Sequence, residues 1–325
     1  MKLRLYKFIL VAFLLSLLVA CQTVSRDAKA RRRAPDGTAD QKSSIQTNEN
    51  YGPPSRVGFL ENRAIDESSG IVASRTSPGM YWTHNDSGDG PFIYALDDRG
   101  HSRGVWRVNG AVAYDWEDIA AGPGPMPGTS YLYIGDIGDN GGRRPQIIVY
   151  RVPEPAITAA DEGTKKSNAQ LTEPAEVIRL RYPDGPHNSE TLMVHPGTGK
   201  IYVITKIEFG NAGVYEADPA QASAGVITLA RVGELSVPTV FGGMISGGDI
   251  SPDGLRVALC DYVQGYELAL PGAASEFNLI WKQPLKPIAI GQREQGEAIG
   301  YRLDGQALLA TSEGRPAPLI EVVRR

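Results

Sequence analysis

Five segments of this chain open alike, and the repetition constrains the fold more than any other feature. A chain that repeats one short β-rich unit must bury it by stacking the copies. The openings are ESSGIVAS at 67, DWEDIAAG at 115, NSETLMVH at 188, SGGDISPD at 246 and QGEAIGYR at 295. Each precedes a second apolar run: MYWTHND, YLYIGDIGD, KIYVITK, LRVALCDY and ALLATSEG. Third runs follow in FIYALDD, IIVYRVPE, GVYEAD, YELAL and PLIEVVRR. Their alternating and β-branched residues suit strands. RGVWRV, EVIRLRY, VITLARV and FNLIWKQP read as fourth runs, and the fifth unit ends without one.

Four strands per unit is the signature of a propeller blade, and no long amphipathic helix competes with it. The chain is therefore expected to be all-β, a five-bladed β-propeller over residues 56–325. The strand missing from the fifth blade is expected from SRVGFLEN at 55–62, which would close the ring and remove an open sheet edge. Ser69, Glu117, Glu190, Gly248 and Glu297 align with spacings of 48, 73, 58 and 49. The long second interval holds a polar insertion, PAITAADEGTKKSNAQLTEPA. A six-bladed ring is the alternative if strands lie within it.

Ahead of this body, Met1 to Lys7 carries three positive charges, and FILVAFLLSLLVA then supplies thirteen residues broken only by Ser16. As a helix that run spans about 20 Å, short of a hydrocarbon core of roughly 30 Å, so residues 1–20 read as an export signal. The string Leu18, Val19, Ala20, Cys21 resembles the lipobox of bacterial lipoproteins. The resemblance implies cleavage before Cys21, acylation of that residue and stable anchoring by several chains. Gln22 stands where an aspartate would favour inner-membrane retention. The expected location is therefore the bacterial cell envelope, at the outer membrane if there are two. Residues 21–55 lack apolar periodicity and read as a lipidated cysteine and a disordered tether.

Without signal and tether, the body holds 24 basic and 33 acidic residues, a net charge of −9. Such a surface repels nucleic acid and attracts cations. Only Cys21 and Cys260 occur, so lipidation of the first leaves no intramolecular disulfide, and Cys260 within RVALCDY reads as a buried thiol.

In a propeller the first strands line a central channel, which brings Ser69, Glu117, Glu190, Gly248 and Glu297 around one axis. Converging carboxylates repel one another unless a cation sits among them. Oxygen donors alone favour a hard ion, calcium ahead of magnesium. The alternative is that the glutamates cap backbone amides or face channel water. The order Ser, Glu, Glu, small residue, Glu resembles calcium-dependent apyrase, a five-bladed nucleotidase with calcium on its axis. That resemblance implies Ser69, Glu117, Glu190 and Glu297 as calcium ligands, with Ser246 or a water replacing the fourth. The chain also resembles bacterial propellers described as phytase-like or esterase-like.

A second set of carboxylates ends the second strands, in Asp86-Ser-Gly-Asp89 and Asp136-Ile-Gly-Asp139. Asp86 and Asp136 are candidate general acids or bases, His84 a candidate proton carrier, and Lys206 and Arg315 candidate partners of an anionic substrate. The structural alternative is that Asp and Gly merely form turns. Two functions stand: an anchored envelope propeller that binds a cation and presents a small anionic ligand or an envelope protein at its mouth, or a calcium-dependent phosphohydrolase or esterase.

Overall fold

The computed structural model describes residues 48–237 and 244–325. The apolar segment 1–20, Cys21 and the tether as far as residue 47 lie outside the described residues. Strand β1 (Ser55–Phe59) precedes the repeats. Blade one contains β2 (Ser68–Ala73), β3 (Met80–Asn85), β4 (Phe92–Asp97) and β5 (Ser102–Asn109). Blade two contains β6 (Trp116–Pro123), β7 (Ser130–Asp136) and β8 (Ile147–Pro153), then β10 (Glu176–Arg181) after the excursion β9 (Gln170–Pro174). Blade three contains β11 (Ser189–Val194), β12 (Ile201–Thr205) and β13 (Ala212–Ala217), then β15 (Ala230–Leu235) after β14 (Val226–Thr228). Blade four runs through β16 (Gly247–Ile250), β17 (Arg256–Cys260), β18 (Gly265–Ala269) and β19 (Lys286–Ile288). Blade five has β20 (Gly296–Tyr301), β21 (Ala307–Ser312) and β22 (Pro318–Val323).

Five antiparallel meanders result, and their first strands pack in a closed circuit of β2, β6, β11, β16 and β20. The fold is a five-bladed β-propeller. β1 completes the fifth blade by pairing with β22, Ser55 opposite Glu321 and Phe59 opposite Pro318, as closure required. The insertion builds no sixth blade: β9 adds to the rim of blade one, parallel to β5. β14 likewise adds to blade two, parallel to β10. Each covers an outer edge that would otherwise offer unpaired backbone groups.

Two expected fourth strands differ. VITLARV divides, with Val226–Thr228 joining blade two and Ala230–Leu235 completing blade three. FNLIWKQP instead forms a 3-10 turn over Phe277–Lys282 that buries Ile280 and Trp281, and blade four is completed by Lys286–Ile288. The aromatic residues of that turn meet Tyr202 of blade three, Phe277 at 5.0 Å and Trp281 at 5.7 Å between ring centroids.

Burial explains why the strands read as nearly unbroken apolar runs. Each of the five described hydrophobic clusters joins two neighbouring blades, and successive residues of a strand enter different clusters. On β3, Tyr81 faces blade five and Trp82 faces blade two; on β7, Tyr133 faces blade three and Ile134 faces blade one. Ordered packing also begins before residue 56. Tyr51 is buried and donates its hydroxyl to Glu267 at 2.5 Å, and the Gly52 N–H reaches the Val323 carbonyl. Composition assigned these residues to the tether because one tyrosine among polar neighbours carries no periodic signal.

Candidate cation site at the channel mouth

The axial residues project from bulges. In blades one, two, three and five the first strand slips by one residue against the second, and the residue at the slip is Ser69, Glu117, Glu190 or Glu297. A bulge takes one residue out of the ladder and re-aims its side chain. Blade four has no slip: Gly247, Gly248 and Asp249 pair in succession with Cys260, Leu259 and Ala258. Gly248 therefore matches Gly70, Asp118, Thr191 and Ala298 of the other blades, not the axial position. A Cβ there would lie 2.7 Å from Leu259 Cδ2 and 3.0 Å from Thr191 Cγ2. Ser246, the expected substitute, donates its hydroxyl to the Gly296 carbonyl at 3.0 Å. Ser69 likewise donates to the Glu117 carbonyl at 2.5 Å, bracing blade one against blade two.

The three glutamates meet different fates. Lys206 donates its ammonium to Glu190 and, at 2.5 Å, to the Tyr262 hydroxyl. Burial alone would lower the Lys206 pKa, but the adjacent Glu190 holds it above its ordinary value. Glu190 is pushed up to about 7 by burial, against the pull of that ammonium. Glu297 accepts from the Gln295 amide at 2.8 Å and is raised by burial and by Glu190. Glu117 is only 4 % exposed, and no described residue donates a hydrogen bond to its carboxylate. Burial lifts it well above the ordinary glutamate range, followed by the charges of Glu190, Asp86, Asp115 and Glu297.

Beside Glu117 stand Asp86 and Asp115, with one ligand oxygen from each of the three carboxylates within 4.8 Å of the others. Asp115 is raised to about 6 by burial and Asp86, with Arg144 opposing. Gly138 forms the floor: a Cβ at this position would run into Glu117 Oε1 and lie 2.5 Å from Asp115 Oδ2. Asp115 was not singled out from sequence, although it begins the opening DWEDIAAG. Oxygen donors that converge this tightly suit a hard divalent cation.

Asp86 and Asp136 share a motif in sequence but not a place in the structure. Asp136 lies in the ladder opposite Trp116, as Asn85 lies opposite Ser68. Asn85 Oδ1 accepts from the Asp66 and Glu67 amides, and the Asp136 carboxylate accepts from those of Tyr114 and Asp115. Asp136 also pairs with Arg144 at 2.7 Å. Its oxygens thus brace the approach to blade two, whereas Asp86, one residue past the ladder, joins the carboxylate cluster. Asp139 is held by the Arg144 amide at 2.7 Å, and Asp89 by Asn85 and Tyr94.

His84 is completely buried, donates Nδ1–H to the Asn85 carbonyl at 2.7 Å and meets Trp116 edge-on. Burial lowers it to about 4, so the ring is neutral near pH 7. Deeper in the channel Asp118 accepts amides from Ile119 at 2.8 Å and Leu192 at 3.0 Å, tying blades two and three together. Arg315 pairs with Asp66 at 2.5 Å. Cys260 is buried, and its thiol is pushed up to about 12.

No family model and no curated protein matches this chain. Among solved structures it is similar to hydrazine synthase of Kuenenia stuttgartiensis, with a TM-score of 0.42 and 14% identity over 79% of this chain and 71% of that one. Likeness at that level carries no functional argument.

Proposed function

We propose that this protein is a lipid-anchored propeller of the cell envelope that binds one divalent cation, calcium in preference to magnesium, at Asp86, Asp115 and Glu117. The observation that carries the reading is the convergence of three carboxylates, one oxygen each from Asp86, Asp115 and Glu117 within 4.8 Å of the others, around a Glu117 side chain that is only 4 % exposed. Lys206 serves as a built-in counter-ion for Glu190, so the cation is expected on the Glu117 side of the channel. The bound ion would leave coordination positions open toward the mouth, where a ligand or an envelope protein would be held. Acylation at Cys21 would fix the body to the membrane through the intervening residues.

Binding is favoured over hydrolysis by the candidate acid–base groups. Asp136 is committed to Arg144 and two amides, and His84 is sealed in the interior. Thermal unfolding with calcium, magnesium or chelator, beside a screen of nucleotides and phosphodiesters, tests both readings. Calcium should raise the midpoint progressively, magnesium less so, and Glu117→Gln should abolish the response. A midpoint indifferent to all three would remove the cation. Chelator-sensitive turnover of any phosphoester would overturn the preference for binding.

A further inference from the structure

A cavity of about 760 Å³ opens in the seam between blades four and five, within the size range of small-molecule sites. Arg56 on β1, Arg293 before β20 and Arg315 after β21 contribute to its wall. Arg293 precedes a first strand, as Asp115 does, and Arg315 follows a second strand, as Asp86 does, which puts them on the same face as the carboxylate cluster.

Two of these arginines make no ion pair among the described residues. Among the described residues Arg293 donates only to the backbone carbonyls of Thr311 at 3.2 Å and Asp261 at 3.3 Å, and its buried Nε has no hydrogen-bond partner there. Arg56 lies over the Phe59 ring at 4.6 Å and makes no ion pair among the described residues. Arg315 is matched by Asp66. The wall also contains Glu294 and Glu313, the latter bound to the Gln295 amide at 2.8 Å. Between the charges the lining is apolar, with Phe59 41% and Val263 76% exposed beside Pro318 and Ile320. Large apolar side chains left in water beside guanidinium groups that make no ion pair among the described residues suit a ligand that supplies both an apolar body and an anion.

We propose that this seam binds a small organic anion, a carboxylate or phosphate monoester carried on an aromatic or alkyl body. The site does not depend on a cation in the channel, so its assay is run with chelator throughout.

The probe is 1-naphthyl phosphate, titrated calorimetrically into the full mature chain, with inorganic phosphate and 1-naphthylmethylammonium as comparators. Saturable one-site binding of the aryl phosphate is expected, weakened about tenfold or more by Arg56→Glu and by Val263→Asp. Both substitutions fall on exposed side chains, and a retained melting midpoint separates loss of the site from loss of fold. Absence of saturable binding, equal binding of the ammonium analogue, or affinity unchanged in both variants would overturn the proposal. Inorganic phosphate binding as tightly as the aryl ester would overturn its apolar half.

Discussion

The carboxylate cluster of the cation-free protein should contribute less stability as the pH rises from about 4 to about 7, opposite to carboxylates in ion pairs. It is read as the difference between the native chain and Asp115→Asn, because buried His84, lowered to about 4, contributes in the other direction over the same interval. Asp115 sets the magnitude. Its pKa rises from 3.8 unfolded to about 6 folded, because burial and Asp86 penalise the charged form. An acid raised in the folded state holds its proton more tightly there. Its contribution is therefore complete below the unfolded pKa and disappears as the pH passes through the folded one. Because Asp115 is partly exposed, solvent screening leaves about 1 kcal/mol of this effect, or roughly 2–4 °C for a body of this size. Glu117 moves in the same direction. The assay is thermal unfolding by circular dichroism in metal-free buffers across that range. Calcium at 100 times its dissociation constant should restore about 2.7 kcal/mol at the alkaline end. Glu117→Gln should flatten the profile and raise the metal-free midpoint near pH 8, since it removes a charge penalised by burial and by the neighbouring carboxylates. A difference between the native and Asp115→Asn midpoints that stays level or grows in the native protein's favour over this interval would refute the electrostatic reasoning.

Three further outcomes follow from the same contacts. Gly138→Ala should cost about 1–3 kcal/mol and weaken calcium stabilisation, because its methyl group would occupy space held by the Glu117 and Asp115 oxygens; denaturant unfolding with and without calcium measures both. Lys206→Met should destabilise the metal-free protein by up to about 3–5 kcal/mol near pH 8, with much of the loss recovered at lower pH as Glu190 takes up a proton. Tyr51→Phe should cost about 1–3 kcal/mol by removing one donor from the buried Glu267 carboxylate, which retains Tyr301 at 2.9 Å; chemical denaturation at constant pH reads the difference.

The repeat could be read because propeller strands bury both faces, leaving runs such as YLYIG and IYVI apolar throughout, and because the stray β-run at 55 fitted the vacancy in the last blade. Register was not legible. Nothing in DWEDIAAG marks Glu117 as the residue taken out of the ladder, and nothing in SGGDISPD marks the missing bulge that shifts Gly248 away from the axis. For the same reason Asp86 and Asp136 looked equivalent, although a one-residue offset puts one in the cluster and the other under two amides. Asp115 was visible but had no partner until folding brought Asp86 beside it. Lys206 was expected to meet a substrate anion and instead meets Glu190, a pairing between a strand end and a bulge sixteen residues earlier.

The most direct test is a calorimetric titration of the metal-free chain with calcium at about pH 7.5. Saturation at one ion per chain, lost in both Glu117→Gln and Asp115→Asn, is the predicted result. Absence of binding by the native protein, or unaltered binding in both variants, would contradict the assignment of the channel mouth as a cation site.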